Sequence, residues 1–133
     1  MDGETRVPIE HEIDIVTARQ KGRELAALSG LSRTEQTLIA TAISEVARNI
    51  VVYARHGEVV LAALEDHGRR GVLVVARDEG PGIPDPDLAM RDGYSTSRSL
   101  GMGLPGARRL MDEFELSSVV GKGTTITMKK WVR

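Results

Sequence analysis

Hydrophobic and polar positions along this chain recur with two periods, and the change from one to the other divides it into elements. Residues 5–10 (Thr-Arg-Val-Pro-Ile-Glu) alternate as a short strand, and Pro8, which lacks a ladder N–H, confines that strand to a sheet edge. From Ile13 to about Leu28 the period becomes helical. There Ile13, Val16, Ala18, Leu25 and Leu28 interleave with Arg19, Lys21, Arg23 and Glu24, and Ser29-Gly30 supplies a stop. Ser32, followed three residues later by Glu35, has the form of a capping box, and the helical pattern it opens runs to about Ala54 before Gly57. Residues 58–66 and 72–78 alternate again and predict a hairpin turning through residues 67–71. Leu104 to about Phe114 returns to helical spacing. Leu116 to Val120 and Thr124 to Val132, around Gly121-Lys122-Gly123, predict a closing hairpin. The pattern is that of an α/β layered sandwich in one domain spanning residues 1–133, with no internal repeat or linker.

Composition narrows the class further. A length of 133 residues suits one core and is too short for two. Eighteen Lys and Arg against nineteen Asp and Glu give no electrostatic footprint for nucleic acid or an anionic membrane. Cysteine is absent, which excludes disulfides and thiolate metal sites and fits a reducing cytosol. The N-terminus starts acidic and no run reaches the roughly 20 apolar residues of a spanning helix, so a soluble, cytoplasmic protein is expected. With one Phe, two Tyr and one Trp, the core must come mainly from Ala, Val, Leu and Ile.

The second helix carries an anomaly. At 100° per residue, Leu38, Ala42, Val46, Ile50 and Tyr53 share one arc, and Glu45 and Asn49 project into its edge one turn apart. A carboxylate and an amide set against apolar neighbours need a partner or a ligand. One alternative is structural: Asn49 caps a loop and Glu45 pairs with Arg48 or another arginine. The other is chemical. The Asn49 oxygen is a hard neutral ligand suited to Mg²⁺, which takes the rest of its shell from phosphates and water, and Glu45 is then placed to act as general base.

Two glycine punctuations follow. Asp78 ends an apolar strand and precedes Gly80 and Gly82, so its carboxylate can accept from an exocyclic amine while the chain turns without side chains; alone, this is also the form of an ordinary turn. Gly101-x-Gly103 opens the third helix, where free backbone amides make an anion site. Neither the Lys-Ser/Thr of the common phosphate loop nor a dinucleotide-binding glycine triplet is present. Residues 79–100 between them are rich in Gly, Pro, Asp and Ser, as binding loops and lids are. His11, His56 and His67 have no metal spacing and read as surface residues. Arg69-Arg70 reads as a solvated hairpin tip, Met102 and Met111 as packing, and Trp131 as an edge of the core.

The boxes Glu45-x-x-x-Asn49, Asp78-x-Gly80-x-Gly82, Gly101-x-Gly103 and Gly121-x-Gly123-Thr124 occur in this order. Together they resemble the Bergerat-fold (GHKL) ATPases of the gyrase, histidine kinase and MutL class, over nearly the whole chain. Segments 42–50, 93–97, 106–114 and 130–133 further resemble the switch serine/threonine kinases of the bacterial stressosome. That resemblance implies a two-layer sandwich with a mostly antiparallel sheet, three main helices and a short ATP lid. It implies that Asn49 holds Mg²⁺, that Glu45 acts as base, and that Asp78 and Thr124 read adenine. Gly80, Gly82, Ile83, Gly101, Met102, Gly103 and Leu104 would line the base and phosphate walls. Ser95, Thr96, Ser97 and Arg98 would belong to the lid, with Arg98 facing either the γ-phosphate or solvent. The implied activity is Mg-ATP-dependent phosphorylation of STAS-domain scaffold or antagonist proteins by a kinase that is a monomer when free. Once released, the kinase would bind and activate a PP2C-type phosphatase. The alternatives are a related anti-sigma factor kinase, which would hold a sigma factor and dimerise, and a detached histidine kinase catalytic domain. The last lacks a phosphoacceptor histidine in a helical hairpin.

Overall fold

The alternating segments form one sheet because each has a row of apolar side chains to hide beneath the helices. The computed structural model describes residues 4–83, 90 and 103–133. Its strands are β1 (Glu4–Ile9), β2 (Gly57–Asp66), β3 (Arg69–Asp78), β4 (Glu113–Val119) and β5 (Gly123–Trp131), in the spatial order β1-β2-β3-β5-β4. Every neighbouring pair is antiparallel. Helices α1 (Glu12–Ser29), α2 (Arg33–Asn49) and α3 (Gly103–Leu110) pack on one face, which gives the expected α/β sandwich of the GHKL class with three main helices. Strand β1 lies at an edge, as Pro8 requires.

The core lies between the layers. Val59 and Leu61 of β2, Val72, Val74 and Ala76 of β3, and Ile126 and Met128 of β5 meet Ile39, Ile43, Val46 and Ile50. Helix α1 joins them by a seam that differs from the expected one. Its buried positions are Ile15, Ala18, Gly22, Ala26 and Ser29, whereas Ile13 and Leu28 are 65% and 78% exposed. Small residues allow close approach: a Cβ on Gly22 would lie 2.1 Å from Ile43 Cδ1. The Ser32 box forms as read, with Ser32 Oγ accepting from the Glu35 N–H at 3.1 Å and Glu35 Oε1 from the Ser32 N–H at 3.2 Å.

Other boundaries move for local reasons. Helix α2 stays α-helical only to Asn49 and then widens into a π-helical turn, Ile50–Ala54, closed by Arg55 N–H donating to the Ile50 carbonyl at 2.7 Å. The wider turn breaks the 100° step, so Tyr53 leaves the expected arc and is 46% exposed, while Ile50 stays buried and Val51 and Ala54 pack on the core. The β2–β3 turn is only His67-Gly68, at φ 52° and 83°, a left-handed pair whose twist suits a two-residue hairpin and lets the strands pair as far as Asp66 and Arg69. Helix α3 stops at Leu110, and Phe114 belongs to β4. The Asp112 N–H donates to the Lys129 carbonyl at 3.0 Å, and the buried Lys130 ammonium takes the Leu110 carbonyl at 2.8 Å, so β5 ends the helix.

By length and composition alone, the continuous helical stretch Arg33–Ala54 is apolar enough to cross a bilayer. Its buried stripe is already committed to the sheet and α1, the pattern of a core helix.

Candidate functional site

The end of β3 is where the sequence-marked residues converge. Asp78 is paired in register with Gly57 of β2 and Thr124 of β5, and alternation puts it on the helix-facing side with Ala76. It is 9% exposed, and its Oδ1 accepts from the Gly80 N–H at 2.9 Å. One carboxylate oxygen thus holds the turn. A groove of about 280 Å³ lined by His56, Gly57, Glu58, Arg77, Asp78 and Glu79 opens at these strand ends.

The glycines around Asp78 sit where the backbone approaches other atoms too closely for a side chain. A Cβ on Gly80 would lie 2.6 Å from Ala54 Cβ, one on Gly57 2.4 Å from the Arg77 carbonyl oxygen, and one on Gly82 2.5 Å from the Val119 carbonyl oxygen. Gly123 combines both demands, with φ at 134° and a Cβ position 2.1 Å from the Asp78 carbonyl oxygen. The glycine of the last box therefore lets β5 press against the Asp78 turn, which seats Thr124 beside it.

The end of α2 reaches the same place. Asn49, half-buried, precedes Ile50, whose Cγ2 lies 3.0 Å from the Cβ position of Gly57, Asp78's cross-strand partner. Glu45, one turn earlier, has a side chain only 10% exposed. It pairs with Arg48 through a single 3.7 Å contact, the partner named by the structural alternative. Ile83 is half-buried against the core. Gly103 begins α3 at φ 60°, and Leu104 beside it is core, 5% exposed. Gly101, Met102 and the lid residues Ser95, Thr96, Ser97 and Arg98 lie outside the described residues.

One residue of the cluster has no mark in the sequence. Ser118 of β4 is the cross-strand partner of Thr124; its Oγ accepts from the Ile83 N–H at 2.7 Å and lies 2.8 Å from Thr124 Oγ1. A serine in an alternating strand is an ordinary surface residue until the register of β4 on β5 is known. The three histidines are exposed, as expected, and Trp131 is core edge as read, 6% exposed with the Arg69 guanidinium 4.3 Å over its ring.

The histidine kinase-like ATPase domain family matches residues 8–130. The chain belongs to that family. It is 50% identical over its whole length, and over the whole length of the relative, to serine/threonine-protein kinase RsbT of Bacillus subtilis (strain 168). It is also 34% identical over 74% of this chain and 70% of the relative to anti-sigma F factor of Geobacillus kaustophilus (strain HTA426). The anti-sigma F factor of Geobacillus stearothermophilus is 35% identical over 72% of this chain and 69% of its own. Family membership implies ATP use, and the full-length match supports a protein kinase.

Proposed function

We propose that this chain is a serine/threonine protein kinase of cytoplasmic partner switching that binds Mg-ATP between the end of α2 and the glycine turns. In this reading it phosphorylates STAS-domain stressosome proteins and, when released from them, binds and activates a PP2C-type phosphatase or a similar output protein. The observation that carries the nucleotide reading is the convergence on Asp78, a buried carboxylate beside Thr124 in a turn whose glycines at 80, 82 and 123 pack too closely on the chain's own atoms to carry side chains. The partner reading rests on the match to RsbT, which spans both chains completely. The matches to anti-sigma F factors cover about 70% of each chain, and the anti-sigma alternative rests on them.

In this reading Asp78 accepts from the adenine amine and Thr124 faces the same edge of the ring. Gly80, Gly82 and Ile83 form the base wall, and Gly101, Met102, Gly103 and Leu104 shape the phosphate wall at the start of α3. The segment Ser95-Thr96-Ser97, outside the described residues, is assigned to the lid by the family resemblance. Among the described residues no three His, Asp or Glu side chains gather to cage a metal. A single amide, Asn49, suits an ion that arrives with the phosphates and keeps its waters, so the residues present fit Mg²⁺ of that kind. The ion would screen phosphate charge. Glu45 would take the proton from the incoming hydroxyl.

The test is calorimetric titration of Asp78→Asn with ATP. The Asn side-chain oxygen keeps the Gly80 bond, so the fold stays, but losing a charged acceptor worth about 1.5–3 kcal/mol weakens binding by tenfold or more. Undiminished affinity would remove the adenine assignment. Incubation with labelled ATP and a STAS-domain protein, a sigma factor and a phosphatase regulatory domain separates the partner readings.

A further inference from the structure

Ser118 occupies a position that nothing in the nucleotide reading assigns, between two residues that the reading does use. The Ile83 amide can only donate, so at 2.7 Å the Ser118 oxygen must accept from it. The single hydroxyl hydrogen of Ser118 then has two acceptors within reach: Thr124 Oγ1 at 2.8 Å and the Gly123 carbonyl at 3.3 Å. The first distance is the usual one for an O–H···O bond, in which either hydroxyl can donate, and the second is long. With Ser118 as donor, the Thr124 hydroxyl turns its own hydrogen away from Ser118. Thr124 is 5% exposed and pairs with Asp78 on the helix-facing side of the sheet, the side to which that hydrogen is then free to turn.

We infer that Ser118 is a positioning residue that polarises Thr124 into a hydrogen-bond donor toward ring nitrogen N1 of adenine, and thereby sets base selectivity. The inference rests on the nucleotide reading above. Its chemistry is a match of polarity. Asp78 offers an acceptor and Thr124 a donor, while the adenine edge offers the N6 amine as donor and N1 as acceptor. Guanine and hypoxanthine present a carbonyl and an N1–H, the reverse at both places. Without Ser118 the Thr124 hydroxyl can rotate and serve either polarity. The Ile83 amide also loses its acceptor, which loosens the turn that carries Gly82.

The test compares ATP with 1-deaza-ATP, which keeps the amine and replaces N1 by C–H, in calorimetric titrations of wild type, Ser118→Ala and Ser118→Thr. Wild type should prefer ATP by about tenfold, the worth of one oriented hydrogen bond in a shielded site. In Ser118→Ala the ratio should fall toward unity, and in Ser118→Thr, which retains the hydroxyl and suits a strand, it should return. A parallel loss of affinity for both nucleotides in Ser118→Ala, with the ratio intact, would make the residue merely structural and overturn the inference. A wild type that binds ATP without preference for N1 would overturn it equally. A wild type that binds neither nucleotide would instead overturn the nucleotide reading. If Ser118→Ala does not fold, Ser118→Cys, whose thiol is a weak donor, is measured in its place with the same fall expected.

Discussion

Replacing Gly80 by alanine tests whether the Asp78 turn is held by its packing against the π-helical turn. The backbone of Gly80 lies outside the left-handed region, so alanine meets no conformational bar and the cost is steric. The new Cβ would sit 2.6 Å from Ala54 Cβ and 2.8 Å from Ala54 Cα, against an ordinary carbon–carbon separation of about 3.5–4.0 Å. An overlap of about 1 Å against backbone forces the Asp78 turn and the end of the π-helical turn at Ala54 apart, which costs about 1–3 kcal/mol. For a domain of this size that is a fall in Tm of about 4–12 °C. The same Cβ would lie 3.2 Å from Asp78 Oδ1, so the carboxylate shifts and ATP affinity falls with stability. Thermal melts and ATP titrations of Gly80→Ala, Ala54→Gly and the double variant form a cycle. Because Ala54→Gly removes the nearer of the two overlapping carbons and leaves the backbone one, the double variant should exceed the sum of the singles by about 1 kcal/mol. A Gly80→Ala protein with wild-type melting and wild-type affinity, or a cycle with no coupling, would refute the argument.

Glu45→Ala should retain ATP and lose phosphotransfer in a labelled-ATP assay with a partner protein. Its melting should change little, since among the described residues the ion pair given up is the 3.7 Å contact to the half-exposed Arg48. A fully active variant would move the base elsewhere. The acid limb of the stability curve should depend on Asp14. Its Oδ2 accepts from the Glu10 N–H at 2.8 Å and the His11 N–H at 2.9 Å, and these bonds hold its carboxyl below the ordinary 3.8. A depressed folded value means the contribution is complete above the unfolded value and is lost as pH falls through the folded one. Asp14→Asn should therefore be less stable than wild type at neutral pH and converge with it below that window, as denaturant titrations at several pH values would reveal.

Much of the cleft was legible in the sequence because its chemistry is written locally. Asp78 after an apolar run, the glycine punctuation at 80, 82 and 123, and the Ser32 capping box are each marked within a few residues of sequence, although the atoms that exclude a side chain at those glycines come from Ala54, Val119 and Asp78. The two-layer α/β class followed from the change of period, since period 2 and period 3.6 bury different rows. What the sequence could not decide depended on atoms far apart in the chain. The α1 seam runs through Gly22 and Ala26 rather than Ile13 and Leu28, because the approach of Ile43 rewards small residues over large ones at the helix ends. The β5 ladder and Lys130 shortened α3 by hydrogen bonds whose two ends no local pattern connects, and the π-helical turn, closed by the local Arg55 to Ile50 bond, swung Tyr53 outward. Ser118 became part of the site only when β4 settled on β5 in a register that set it opposite Thr124. Composition and period thus determined which residues are suited to bind a nucleotide. Strand register and helix packing determined which of them meet, because hydrogen bonds and van der Waals forces act over a few ångströms in space, whatever the distance along the chain.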